Sequence, residues 1–156
     1  MIDSTSVPGV AEDAAKAPSC DCVVAIDPGR AKCGIAVVNR NRTTLFRSVA
    51  LTTNIASEVA RVIAVYRPIE IAVGNGTGSK HVIEIIGCVL SPSLPIRTIM
   101  EAYTSEEARK RYVKEVKPPW LQRFLPPSLR TPPTPYDDYV AVILGERYWR
   151  IICGEQ

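Results

Sequence analysis

The sequence predicts an α/β fold: a five-stranded mixed sheet, built from an antiparallel three-strand meander and two parallel strands, flanked by helices. Three observations lead there. Three short apolar runs follow one another early in the chain with only turn residues between them, strand and helix patterns then alternate, and a strongly periodic helix closes the sequence. An antiparallel opening joined to strand–helix–strand units implies a mixed sheet covered by helices.

The first strand is the continuous apolar run Val23–Ile26, ended by Asp27 and the turn pair Pro28-Gly29. Such a run suits a strand buried on both faces and leaves Asp27 at its end. Gly34–Val38 forms the second strand, Asn39–Arg42 a polar turn, and Thr43–Leu51 the third strand. Asn54 can cap a helix whose apolar residues Ile55, Val59, Val62, Ile63 and Tyr66 keep helical spacing until Pro68 stops it. Ile69–Val73 is a fourth strand, followed by the glycine-rich Gly74–Lys80 and a helical stretch through Val82, Ile85, Ile86 and Val89. Pro92 and Pro95 bracket a loop into a fifth strand, Ile96–Glu101. Thr104 or Ser105 caps a charged helix whose acidic start and basic finish suit the helix dipole. Lys117–Pro135 holds seven of the thirteen prolines, and Asp137 to about Ile152 is a helix with Val140, Ile143, Leu144 and Tyr148 on one face.

A chain of 156 residues with 46% apolar and 22% charged residues fits one core. No apolar run approaches the roughly 18 residues of a membrane span, and the start lacks the pattern of a signal peptide, so a cytoplasmic protein without a membrane partner is expected. Residues 1–21 are rich in Ala, Ser, Asp and Pro and read as a flexible tail, with the domain at 22–156. Asp3, Glu12, Asp13 and Asp21 against Lys16 leave residues 23–156 with 18 basic and 12 acidic side chains, a net of +6 that favours an anionic partner. One histidine, His81, excludes a multi-histidine zinc centre within the chain. Five cysteines without a C-x-x-C pair fit reduced, mostly buried thiols better than a disulfide framework.

Acidic residues stand where elements begin or end: Asp27 after the first strand, Glu101 after the last, and Asp137 with Asp138 at the start of the last helix. Side chains from such ends can meet at one edge of a sheet. Clustered carboxylates repel one another, and a divalent cation with a preference for hard oxygen donors, Mg²⁺ or Mn²⁺, removes that repulsion. Two such ions about 3.5–4 Å apart would suit phosphodiester hydrolysis. The simpler reading is that Asp137 and Asp138 cap a helix and Asp27 serves a turn.

The segments VVAIDPGRAKCGIAVV, EAYTSEEARKRY and PYDDYVAVILGERY, in this order, resemble the ribonuclease H-like superfamily, and within it the YqgF-type family related to the RuvC Holliday junction resolvases. Asp27, Gly29 and Gly34 match its D-x-G turn with a second glycine five residues on. Glu101, Thr104, Ser105, Glu107 and Ala108 match a later D-E-R region, and Asp137 with AVILGERY matches its last helix. The resemblance spans residues 23 to about 151. It implies a ribonuclease H-like fold and a metal-dependent nuclease acting on structured RNA, in ribosomal RNA precursor processing, or on branched DNA, working as a monomer or homodimer. Asp27, Glu101 and Asp137 would be catalytic and would hold Mg²⁺ or Mn²⁺, with Asp138 as an alternate ligand to Asp137, since one of two consecutive residues at a helix start faces the metals. The chain departs from the family at Met100 and Ala102, where Asp and Arg are usual, and in its GNGTG loop, where Gly-Leu-Pro is usual. Loss of that Arg removes a phosphate clamp.

Several residues could touch the nucleic acid. Arg30 and Lys32 belong to a basic stretch with Arg40, Arg42 and Arg47, Lys80 follows the glycine loop with His81, and Arg130 lies in the proline-rich segment near Trp120 and Phe124, which could stack on bases. The blander readings are a solvated face, a solvated glycine loop, and aromatics that pin the proline segment to the domain. Glu70, within the fourth strand, either turns outward or joins the acidic cluster. A catalytically weak nucleic-acid-binding module of the same fold is the alternative function. Nucleotide binding ranks last, because actin-like ATPases with a similar D-x-G turn have a two-domain body about twice this size.

Overall fold

A computed structural model describes residues 21–90, 92, 94–102, 104–115 and 137–155. The strands are β1 (Cys22–Asp27), β2 (Lys32–Asn39), β3 (Thr44–Leu51), β4 (Glu70–Gly74) and β5 (Ile96–Ile99). The helices are α1 (Ile55–Tyr66), α2 (Ser79–Gly87), α3 (Thr104–Glu115) and α4 (Asp137–Cys153). The sheet order is β3-β2-β1-β4-β5, with β1 antiparallel to β2, β2 antiparallel to β3, and β1, β4 and β5 parallel. The predicted meander, the parallel pair and the order of helices are all present.

β1 is the central strand, and its unbroken apolar run follows from burial on both sides. Val23 and Ala25 face α4, whereas Val24 and Ile26 face α1 and α2. Each fully buried Val or Ile contributes about 1.5–3 kcal/mol relative to exposure, so the two cores are the main stabilising term. α4 is buried nearly all round from Tyr139 to Trp149 because the sheet lies on one side and α3 on the other. The Trp149 indole N–H donates to the Val38 carbonyl at 2.9 Å, which satisfies a polar group inside that layer.

Some boundaries differ from the sequence reading. The fifth strand stops at Ile99, so Glu101 lies in the connection to α3. A 3₁₀ turn, Thr52–Asn54, precedes α1, and the Asn54 side chain makes no capping hydrogen bond. The described residues begin at Asp21, whose carbonyl accepts from the Arg40 N–H at 3.0 Å. Cys22 and Cys33 are buried, but Cys88 and Cys153 are exposed, at the ends of α2 and α4 where the helices leave the core. Residues 1–20, and Trp120, Phe124 and Arg130, lie outside the described residues. Among the described residues no helix is long and apolar enough to cross a membrane.

Candidate active site

The parallel strands β1 and β4 end together, and the chain segments around that end carry the acidic residues. Asp27 closes β1 opposite Gly34 of β2. A Cβ at Gly34 would lie 2.0 Å from the Asp137 carbonyl oxygen, so only glycine there lets the first turn of α4 come down beside Asp27. The loop after Asp27 is tied in place by Thr52, whose hydroxyl donates to the Gly29 carbonyl at 2.9 Å and whose N–H donates to Ala31 at 3.0 Å.

Glu101 reaches the same edge from the loop after β5. A Cβ at Gly74 would come within 2.0 Å of its Oε1, and one at Gly76 within 2.5 Å of its Oε2. The glycine-rich loop is therefore a cradle for this carboxylate, a role distinct from both sequence-level readings of it. Asn75, between the two glycines, accepts from the Glu101 N–H at 2.9 Å through Oδ1 and donates its own N–H to the Ile99 carbonyl at 2.9 Å.

Asp27 lies within electrostatic reach of the other two carboxylates. Burial, then Glu101, then Asp137 push Asp27 up from its ordinary 3.8 to about 7. Asp137 is also raised, by burial and by Asp138, and Lys32 draws it partly back. Asp138 faces a different way. Its Oδ2 lies 3.5 Å from Arg47 Nε, and the Arg47 guanidinium stacks over the Tyr139 ring at 4.2 Å. Among the described residues, no three His, Cys, Asp or Glu side chains stand close enough together to enclose a metal ion as they are placed. The donor set of Asp27, Glu101 and Asp137 nonetheless fits a hard divalent cation chemically, being all oxygen, with a raised Asp27 that a positive charge would relieve.

The basic candidates are distributed around this edge. Arg30 and Lys32 are exposed on the loop and strand that follow Asp27, and Lys80 is exposed in the first turn of α2. Glu70 takes neither of its expected positions. It is buried at the opposite end of β4, paired in register with Val23, and so about 13 Å of strand away from the acidic edge. There Arg97 Nε donates to its Oε1 at 2.9 Å and the Tyr148 hydroxyl to its Oε2 at 2.6 Å. Burial is tolerated because both oxygens have strong donors. Sequence reasoning singled out Gly34 and the Gly74–Lys80 loop but missed that they make room for Asp137 and Glu101, and that Asn75 holds the Glu101 backbone. The glycines were visible as a turn and a loop, but nothing local marks what they make room for.

A five-stranded β3-β2-β1-β4-β5 sheet with helices on both faces is the ribonuclease H-like fold. Among solved structures the chain is similar to Thermus thermophilus RuvC, with a TM-score of 0.57 at 15% identity over 86% of this chain and 97% of that one. It is also similar to T. thermophilus RuvC in complex with a Holliday junction substrate, with a TM-score of 0.53 at 19% identity over the same shares. At these identities the likeness is one of fold. No protein-family profile matches the sequence, and no curated protein matches it.

Proposed function

We propose that the chain is a metal-dependent nuclease of the YqgF type that hydrolyses phosphodiester bonds in branched DNA or structured RNA. The observation that supports this reading is that Asp27 closes the central strand with Glu101 and Asp137 near enough for their charges to act on it, in a fold shared with a protein seen on a Holliday junction substrate. Asp27, Glu101 and Asp137 would hold Mg²⁺ or Mn²⁺, which when bound supplies charge compensation and an activated water. The chain's own residues do the rest. Lys32, beside Asp137, and Arg30 offer positive charge at the mouth for a phosphate backbone, and Lys80 does so from the α2 side. Arg130 would extend that contact. Asp138 is left to Arg47 and serves as a structural partner.

A second reading, a binding module with weak catalysis, is favoured by the open spacing of the carboxylates and by Ala102 at a position where the resembling family has arginine. Cleavage of a labelled four-way DNA junction, a matched linear duplex and a structured precursor RNA, each with and without Mg²⁺, decides between them. Wild type should cleave a branched or structured substrate only with the ion, and Asp27→Asn should lose roughly 1000-fold or more. Undiminished cleavage by Asp27→Asn overturns the assignment. Ion-independent binding with no cleavage by either protein establishes the binding module.

A further inference from the structure

Glu101 lies in a short connection with little apolar burial to hold it. Met100, immediately before it, is 65% exposed, and Ala102, immediately after it, is also exposed. Hydrogen bonds must therefore fix this stretch, and they come from two distant parts of the chain. Arg147 of α4 donates through Nη1 to the Met100 carbonyl and through Nη2 to the Ala102 carbonyl at 3.1 Å. Asn75 accepts the Glu101 N–H at 2.9 Å. The Glu101 backbone is thus gripped on its own amide and on the carbonyl of each neighbour, while Gly74 and Gly76 confine its side chain.

We infer that Arg147, with Asn75 as a second restraint, is a positioning residue for Glu101 in the proposed nuclease site. The inference rests on Glu101 being an ion ligand there. Arg147 touches none of the reacting groups. Its planar fork spans two carbonyls that flank the ligand, a geometry that a single lysine ammonium cannot reproduce. Without it the loop would sample positions in which Glu101 no longer faces Asp27, and the ordering of Glu101 would have to occur at the moment of ion binding. Outer partners of metal ligands typically change affinity 10–100-fold when removed, and Arg147 acts in that way through the backbone.

The test uses the full chain and Mn²⁺ alone. Calorimetric titration should show binding about 10-fold weaker for Arg147→Ala and for Asn75→Ala than for wild type, with partial recovery in Arg147→Lys. Arg61→Ala, which breaks a surface pair with Glu58 on α1, should bind as wild type does. Amide hydrogen exchange at Glu101 and Ala102 should be faster in Arg147→Ala, with exchange in β1 unchanged. Equal Mn²⁺ affinity in wild type and Arg147→Ala, with the loop exchanging at the wild-type rate, overturns the inference. If wild type binds no Mn²⁺, the nuclease reading falls, and exchange alone then decides: faster at Glu101 supports positioning by Arg147, unchanged rates overturn it. Should Arg147→Ala not fold, Asn75→Ala and Arg147→Lys carry the same comparison, since both keep the α4 core intact.

Discussion

The two ends of the sheet each hold acidic groups, and they treat them in opposite ways. At the start of β4, Glu70 is 8% exposed and both its oxygens accept from strong donors, Arg97 and the Tyr148 hydroxyl. Tyr148 in turn holds its proton far above the ordinary range, because burial and the Glu70 carboxylate both oppose its ionisation. At the end of β1, burial first, and then the charges of Glu101 and Asp137, drive Asp27 up to about 7. A buried carboxylate with matched donors is part of the scaffold. A half-buried carboxylate without such donors, beside like charges, is held at a cost to the fold.

Removing an acid at each end breaks or sharpens this comparison most directly. Glu70→Ala leaves the buried Tyr148 hydroxyl without its acceptor and should lower stability by roughly 2 kcal/mol, with Mn²⁺ affinity unchanged. Asp27→Asn should shift the urea midpoint of the metal-free protein in the opposite direction, because repulsion is removed. If both variants shift the midpoint the same way, the two ends are not of different kinds.

A pH series in chelator gives a smaller effect with a definite sign. Asp27 binds its proton more tightly folded than unfolded, so its stabilising contribution is full below about 4, declines as pH rises, and is gone once pH passes about 7. Asp137 is raised too and adds to the same slope. The melting temperature of the metal-free protein should therefore fall across that window, and Asp27→Asn should flatten much of the fall. An equally steep fall in Asp27→Asn would assign the slope to other groups.

The smallest expected effect separates neighbours on one helix. Asp138→Asn weakens the partly exposed 3.5 Å pair with Arg47 and relieves its repulsion of Asp137, and should cost under about 1 kcal/mol. Its Mn²⁺ affinity should stay within about twofold of wild type, whereas Asp137→Asn should weaken binding by about 10-fold or more. Equal losses from the two substitutions, read by calorimetry, would show that both aspartates serve the ion.

The strands and helices were legible because burial imposes a period on the sequence. The run Val23–Ile26 has no alternation because β1 is covered on both faces, and α4 is buried nearly all round because α3 covers its outer side. Asp27, Glu101 and Asp137 were legible as acids at element ends, since strand order brings such ends together. The rest depended on contacts between residues far apart in the chain. Glu70 could be placed only by knowing that Arg97 and Tyr148 arrive beside it, and the GNG loop only by knowing that Glu101 fills the space its missing side chains leave. Asp137 and Asp138 are the same residue type one helical step apart, and nothing in the sequence shows that Arg47, on β3, pairs with Asp138.

Helix α4 has a consequence for which changes of length the protein can accept. Asp137 begins it, and ten residues later Arg147, Tyr148 and Trp149 make three successive attachments, to the loop around Glu101, to Glu70 and to the Val38 carbonyl. On a helix those residues stand about 15 Å and just under three turns from the start, and one inserted residue would rotate them by about 100°. All three attachments would then lose register together while Asp137 stayed where it is. The helix is a ruler whose phase is set at both ends, so the stretch from Asp137 to Trp149 should tolerate substitution far better than insertion or deletion.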